Sequence, residues 1–326
     1  MSEDLVLGID GGGSKTLAAV VDRSGEVVRA ARAGGTNPLD NPAWRSELEA
    51  ALGTVASTPH VVAAVAALPA YGEVAAISVA QREAIAHALG IRPQSILNDV
   101  DAAQIGAFAG HPGILILSGT GSMAWARDES GRSHRVGGWG DAVGDEGSGF
   151  WIGHRVLGRV TQSLDGRAPP TALVEALFAE LRLDLAHPSD GIEGWVSSLT
   201  HPRSAIAALA PLAMRLAEAG DAGALAIVEA AAEELARHVR AIERHAGRAA
   251  PWSYAGGTFK SRFLLTAVAE RIGRPPVAPR LPPIGGALLA AARLADWSTE
   301  DAWIERLRAS LQNLPADQPT LELTTT

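Results

Sequence analysis

Leu5-Val6-Leu7-Gly8-Ile9-Asp10-Gly11-Gly12-Gly13-Ser14-Lys15-Thr16 is the stretch whose reading decides the fold. A short apolar run stops at a carboxylate, as a buried strand does where it reaches a sheet edge. Gly11 to Ser14 supply a tight turn, and Thr16 to Val21 resume an apolar, partly β-branched pattern. Asp22-Arg23-Ser24-Gly25 reads as a second turn before Glu26 to Ala30, so the segment predicts three antiparallel strands in a meander. It is not a Walker P-loop, because the lysine does not directly follow the fourth-spaced glycine and the following residues are β-patterned. A glycine hairpin with hydroxyls and a lysine at its exit can still offer amides to phosphate oxygens, and Asp10 can hold Mg²⁺ directly or through water. Taken alone, the same residues also fit an ordinary hairpin turn.

Working outward, Asn41-Pro42 followed by Trp44, Leu48, Ala51, Leu52 and Val55 predicts an amphipathic helix. Val61–Leu68 reads as a strand, Glu73–Leu89 as a helix closed by Gly90, and Ser95–Leu97 as a strand ending at Asn98-Asp99. The first part is therefore βββαβαβ, with a short helix from Asp101 to Ala109. At Gly113 the order restarts: Ile114–Leu117 is a buried strand running into Ser118-Gly119-Thr120-Gly121-Ser122, and a further strand covers Ser122–Arg127. Residues 137–141 and 144–149 are too glycine-rich for helix. Helices are predicted at 150–163, 171–182, 203–219 and 222–246, then a third glycine turn at Ser253–Thr258 and a helix from Phe259 to Ile272. A proline-rich link, Pro275–Pro283, leads into a small-residue helix opening at Ile284-Gly285-Gly286-Ala287. The end carries an amphipathic helix with Ile304, Leu307 and Leu311, and a polar tail from Pro315 that reads as disordered.

The 326 residues predict two domains, and 47% hydrophobic with 20% charged residues is an ordinary globular balance. The formal charge of -8 disfavours nucleic acid and anionic membrane as partners. Absence of cysteine excludes a disulfide scaffold, a thiolate zinc site, a thiol nucleophile and a cysteine-held iron–sulfur cluster. None of the nine histidines has a metal-ligand spacing such as HExxH. No signal-like or membrane-spanning run is visible, so a cytoplasmic location is expected. Both lysines, Lys15 and Lys260, lie beside glycine turns.

Two glycine hairpins, each after an apolar strand in its own half of the chain, can clamp one polyphosphate between two lobes. Asp99 lies just past a buried strand, where an open α/β sheet places its ligand, although it could equally cap the following helix. Asp101 fits that helix as well and stays open as an alternative. Asp145 and Glu146 are adjacent carboxylates in a glycine-rich loop, suited to accepting hydrogen bonds from vicinal hydroxyls or simply to solvation. Trp139, flanked by glycines, could cover the apolar face of a sugar or belong to the core.

The ordered set of Leu7–Thr16, Leu117–Ser122, Gly138-Trp139-Gly140 with Gly144–Ser148, and Ala255-Gly256-Gly257 resembles the N-acetylglucosamine kinase branch of the BadF/BadG/BcrA/BcrD group, within the sugar kinase, Hsp70 and actin superfamily. The likeness runs from about residue 5 to 296. It implies an α/β, two-lobed actin-like ATPase (ribonuclease H-like) fold, each lobe a mixed sheet with flanking helices and a cleft between. One lobe would be 1–112 completed by 287–326, the other 113–286. It further implies that Asp10 serves the metal, that Gly12, Gly13, Ser14, Lys15 and Thr16 form the first phosphate loop and Gly119, Thr120, Gly121 and Ser122 the second, and that Gly256, Gly257 and Thr258 lie along the adenosine. The Gly285-Gly286-Ala287 helix would be a hinge connector. Asn37, Asp99, Thr120, Trp139 and Asp145 match sugar-contacting positions, with Asp99 in the place of the catalytic base. The implied activity is ATP- and Mg²⁺-dependent phosphorylation of the 6-hydroxyl of an amino sugar, N-acetyl-D-glucosamine first, with free glucosamine or muramic acid as alternatives and a homodimer as a compatible assembly. A BadF-type ATPase that energises a dehydratase would need cysteines this chain lacks, and a sugar sensor would not need the intact loops and carboxylates.

Overall fold

Strands β1 (Leu5–Gly11), β2 (Lys15–Asp22) and β3 (Val27–Gly34) form the meander read from the sequence. The second turn is closed by Asp22, whose Oδ1 accepts from the backbone N of Ser24 at 2.9 Å and of Glu26 at 3.0 Å. Helix α1 (Trp44–Leu52), strand β4 (Val61–Leu68), helix α2 (Ala75–Leu89), strand β5 (Gln94–Asn98) and helix α3 (Asp99–Phe108) follow. Both β4 and β5 run parallel to β1, so β1, β4 and β5 end on the same sheet edge. Alternate residues of these strands feed two cores: Leu7, Ile9, Ala18 and Val20 pack with α1 and α2, while Val6, Ala19 and Val21 pack on the opposite face.

This is a computed structural model, and it describes residues 4–53, 55–90, 94–314 and 320–322. The chain divides into two units, Met1–Pro112 with Ala278–Thr326, and Gly113–Val277. In the second unit, β6 (Gly113–Ser118), β7 (Ser122–Arg127) and β8 (Ser133–Gly137) make another antiparallel meander. Six helices follow: α4 (Gly149–Leu164), α5 (Leu173–Leu181), α6 (Pro188–Ser198), α7 (Pro202–Ala207), α8 (Ala210–Glu218) and α9 (Ala222–Ala246). Strand β9 (Trp252–Ala255) adds parallel to β6, giving the order β8-β7-β6-β9, and α10 (Arg262–Ile272) closes the unit. Where the sequence predicts one helix over 203–219 there are two, because Pro211 lies in the first turn of α8, where a proline is tolerated, and could not sit inside a continuous helix. Strand β8 and helix α6 carry no clear periodic signal; α6 contains Gly191 and Gly194.

The chain then returns to the first unit with α11 (Pro283–Leu294), α12 (Asp301–Gln312) and β10 (Thr320–Glu322). The return comes at Ala278 and not at 287, since the backbone N of Arg280 and of Leu281 donate to the carbonyls of Ala107 and Gly106 at 3.1 and 3.0 Å. Gly285-Gly286-Ala287 is accordingly in the interior of the first unit: a Cβ on Gly286 would stand 1.9 Å from the Ala102 carbonyl, so α11 and α3 touch backbone to backbone. Strand β10 pairs with β3 and extends the sheet to β10-β3-β2-β1-β4-β5, which places three residues of the expected disordered tail in a sheet. The rest of that tail lies outside the described residues, as do 315–319 and 323–326 generally.

Candidate active site

In the first unit the chemistry-bearing residues collect at the C-terminal edge of the parallel strands. Asp10 pairs with Ala67 near the end of β1, Leu68 with Asn98 at the end of β5, and Asp99 opens α3 directly afterwards. The helix cap is Asn98: its Oδ1 accepts from the backbone N of Val100 at 3.0 Å. The same Val100 N–H also donates to Asp99 Oδ1 at 3.0 Å, so Asn98 and Asp99 share the cap, and α3 starts two residues before the predicted Asp101. Asp101 is buried one half-turn on, 8% exposed.

Burial pushes the Asp10 carboxyl up to about 7, helped by the charge of Asp99 and opposed by Lys15. Burial likewise raises Asp99 to about 7, the Glu73 charge adding to it and the bond from the Val100 N–H opposing it. Glu73 is fixed there by the Asn98 side-chain amide, which donates to its Oε1 at 2.8 Å; no motif in the sequence marked it.

The hairpin between β1 and β2 is tight. Gly12 N donates to Lys15 O at 2.9 Å, Thr36 N to Gly12 O at 2.9 Å, and a Cβ on Gly35 would lie 2.1 Å from the Gly13 carbonyl. Gly13, Ser14 and Lys15 are exposed at its tip. Thr16 departs from the expected role: it is 1% exposed and its hydroxyl donates to Thr36 Oγ1 at 3.0 Å, so its side chain braces the loop from inside. Asn37 begins a turn, with Nδ2 on Asp40 at 2.6 Å and Oδ1 accepting from Leu39 N at 3.1 Å.

In the second unit three separate sequence motifs meet on one frame. The hairpin after β6 is pinned by Gly119 N on Gly121 O at 2.9 Å and leaves Thr120 exposed. Gly149 N donates to Gly119 O at 2.7 Å and Phe150 N to Thr120 O at 3.3 Å, joining the first turn of α4 to that loop. Ser118 and Ser122 hydroxyls donate to the carbonyls of Gly147 and Glu146 at 2.9 and 2.8 Å. The third motif docks beneath: Thr258 Oγ1 donates to Ser118 O at 2.8 Å, and Gly256, at φ 104°, has only 2.1 Å between a would-be Cβ and that carbonyl. Gly257 and Gly256 are exposed beside it.

Trp139 is 70% exposed on a run of left-handed glycines, with the Arg135 guanidinium 5.2 Å from its ring centroid. It is no core residue. Asp145 is different from its reading as an open acceptor: it is 2% exposed, held at φ 59°, its Oδ2 taking a 2.6 Å bond from Arg203 on α7 and its Oδ1 one from Ser122 N at 3.3 Å. Gly121 is small because this pair packs on it; a Cβ there would lie 2.8 Å from the Arg203 guanidinium. Arg203 was not anticipated, since it comes from a helical stretch with no motif.

Among the described residues no group of three or more His, Cys, Asp or Glu side chains could hold a metal. Mg²⁺ needs no such cluster, since it keeps several waters and takes one or two carboxylates plus phosphate oxygens. Half-buried Asp10, at the end of β1, is a carboxylate that could serve it directly or through water.

An N-acetyl-D-glucosamine kinase of Dictyostelium discoideum is 28% identical over 294 residues, 83% of this chain and 90% of that protein. An N-acetylmuramic acid/N-acetylglucosamine kinase of Clostridium acetobutylicum is 33% identical over 147 residues, 45% of this chain and 47% of that relative, so this match spans about half of its length. Among solved structures, a provisionally assigned N-acetylglucosamine kinase from Chromobacterium violaceum superposes with a TM-score of 0.73 at 27% identity, covering 89% of this chain and 99% of the other. The fold is thus that of the actin-like sugar kinases, an α/β architecture of two mixed sheets with flanking helices. A family model spans residues 7–291 and takes in both hairpins, Asp99, the Trp139–Asp145 loop and the Gly256 turn, and the chain belongs to the BadF/BadG/BcrA/BcrD ATPase family.

Proposed function

We propose that the protein transfers the γ-phosphate of ATP to the 6-hydroxyl of an amino sugar, with N-acetyl-D-glucosamine as the leading substrate. The observation that carries this reading is Asp99: a carboxylate at the C-terminal edge of the parallel strands, opening α3 and raised by burial to about 7. A general base works best with a pKa near the operating pH. Phosphoryl transfer asks the protein mainly for alignment and charge stabilisation. Asp99 accepts the hydroxyl proton; the Gly12 amide closes the first hairpin, whose exposed tip, Gly13, Ser14 and Lys15, offers amides, a hydroxyl and a cation to phosphate oxygens. In the second hairpin Gly119 and Ser122 hold the loop's shape while Thr120 and Gly121 at its tip offer the second set, and Gly256, Gly257 and Thr258 give a shelf for adenosine. Mg²⁺, held by Asp10 directly or through water, would neutralise charge on the phosphates. Exposed Trp139 offers a ring face to the sugar, Asn37 and Thr120 polar groups, and Asp145 acts from within its loop.

The acceptor to compare is a free amino sugar, whose ammonium wants a carboxylate within reach where an N-acetyl group wants a small apolar pocket. ADP release measured over paired acetylated and free hexosamines tests both. Sugar-dependent release with a 6-phosphate product is expected, and no release from any of them overturns the kinase reading.

A further inference from the structure

Away from these loops, α4 and α9 leave a groove of about 500 Å³ between them. Pockets of roughly 300–1,000 Å³ accommodate small ligands. One wall is a single stripe of α4, Trp151, Arg155 and Arg159, spaced by one helical turn each; the other is the start of α9, where Gly223, Ala226 and Ala230 keep the space open. No acidic residue lines it. The nearest carboxylate in sequence, Asp221, is consumed as a cap by Thr171 Oγ1, Ala172 N and Ala224 N at 2.7 to 2.8 Å. Among the described residues neither Arg155 nor Arg159 has a carboxylate partner, so the groove carries two positive charges in a chain of net charge -8.

Their donors are also set out for a ligand. The Arg155 guanidinium lies 3.9 Å over the Trp151 ring, and a stacked guanidinium keeps its N–H groups free at its edge. Arg159 is anchored by Nη2 on the Pro169 carbonyl at 2.9 Å, which holds its guanidinium at the groove wall. Residues one turn apart on a helix stand about 5–6 Å from each other, a span that the oxygens of one phosphate group bridge. The groove is far larger than a phosphate ion, and the alanines with Ile227 give a free ion nothing to contact.

We propose that this groove is a second binding site, for a small organic phosphate monoester, with the phosphate on Arg155 and Arg159 and the ester's body along the small-residue wall of α9. The site is not isolated from the chemistry, because the first turn of the same helix α4 donates to Gly119 O and Thr120 O of the second hairpin. An occupant that shifts α4 therefore shifts that hairpin and changes the apparent affinity for ATP. This consequence rests on the kinase reading; the binding does not.

The test is calorimetric titration of the full chain with glucose 6-phosphate while ADP, Mg²⁺ and N-acetylglucosamine are all saturating, so that the proposed substrate positions are filled. Saturable binding is expected, weakened at least tenfold by Arg155→Gln and by Ala226→Glu, with thermal midpoints confirming that both variants are folded. Inorganic phosphate should bind at least tenfold more weakly than the ester. Equal binding by wild type and both variants, loss of binding once the substrate positions are filled, or equal affinity for inorganic phosphate each overturns the assignment. In kinetics, glucose 6-phosphate should change the KM for ATP in wild type and not in Arg155→Gln; a KM indifferent to the ester in both overturns the coupling. Absence of any sugar phosphorylation would sink the kinase reading and leave the titration interpretable.

Discussion

Asp99 carries the sharpest expectations. Its carboxyl and that of Asp10 are raised from 3.8 to about 7, so kcat/KM should climb on the acid side through about pH 7 as the free protein's base loses its proton. Asp99→Asn should cut kcat about 10²–10⁴-fold with little change in ATP affinity, the worth of a general base; unaltered turnover would remove Asp99 from the chemistry. The stability sign is opposite. Between about pH 4 and 7 the folded chain holds protons that the unfolded chain has lost, so folding stability falls as pH rises through that window. Asp99→Asn should then raise stability by about 1–2 kcal/mol at pH 8 and by less at pH 5, after discounting for partial solvent access, and thermal melts at the two pH values check it. Arg203 supplies a contrasting case: removing it strands the nearly buried Asp145 carboxylate. Arg203→Ala should cost about 2–3 kcal/mol, and pairing it with Asp145→Asn should recover part of that loss, as double-mutant melts would show. Asp99 was legible because a strand ending at a carboxylate is a local pattern. Arg203 was not, because its meaning comes from a contact with a loop 58 positions away, and the inward turn of Thr16 depends on Thr36, likewise remote in sequence.

At the scale of elements, the sequence spoke clearly where periodicity was strong. The meander, the β6–β7 hairpin and the long α9 follow their patterns closely, since alternation and helical spacing directly encode which face is buried. Strand β8 lacks such alternation, as four of its five residues are half-buried, and it forms because β7 offers it an unpaired edge. The contact between α3 and α11 shows the same limit from the other side: Gly286 and Gly106 look like helix weakeners until each is seen facing the other helix's backbone. Gly286→Ala should therefore destabilise the fold by about 2 kcal/mol or more, where helix propensity alone would predict a gain of about 1 kcal/mol. A rise in the denaturation midpoint on this substitution would refute the close approach.

For the whole molecule, the two units differ in how the chain builds them. Every residue of the core around Ile116, Val228 and Trp252 falls within Gly113–Val277, so that unit owns its hydrophobic interior in one continuous segment. The first unit borrows. Its core on one sheet face joins Val6, Ala19 and Val65 to Leu288, Ala291, Trp303 and Leu307, which the chain supplies only after leaving and returning. The proline-rich link at 275–283 signalled a crossing, yet its exact place was hidden, because it is set by backbone bonds from Arg280 and Leu281 to the end of α3. Expressed alone, residues 113–277 should fold cooperatively and show dispersed amide resonances, since no buried partner is missing. Residues 1–112 alone should not, because the sheet face that α11 and α12 cover would be open to water, an apolar exposure that a unit of this size could not offset within the usual stability of about 5–15 kcal/mol. Adding residues 278–326 back as a separate chain should restore the fold of 1–112, read by circular dichroism on mixing; a 1–112 fragment that is already cooperatively folded would show that the returning helices are ornament and not core.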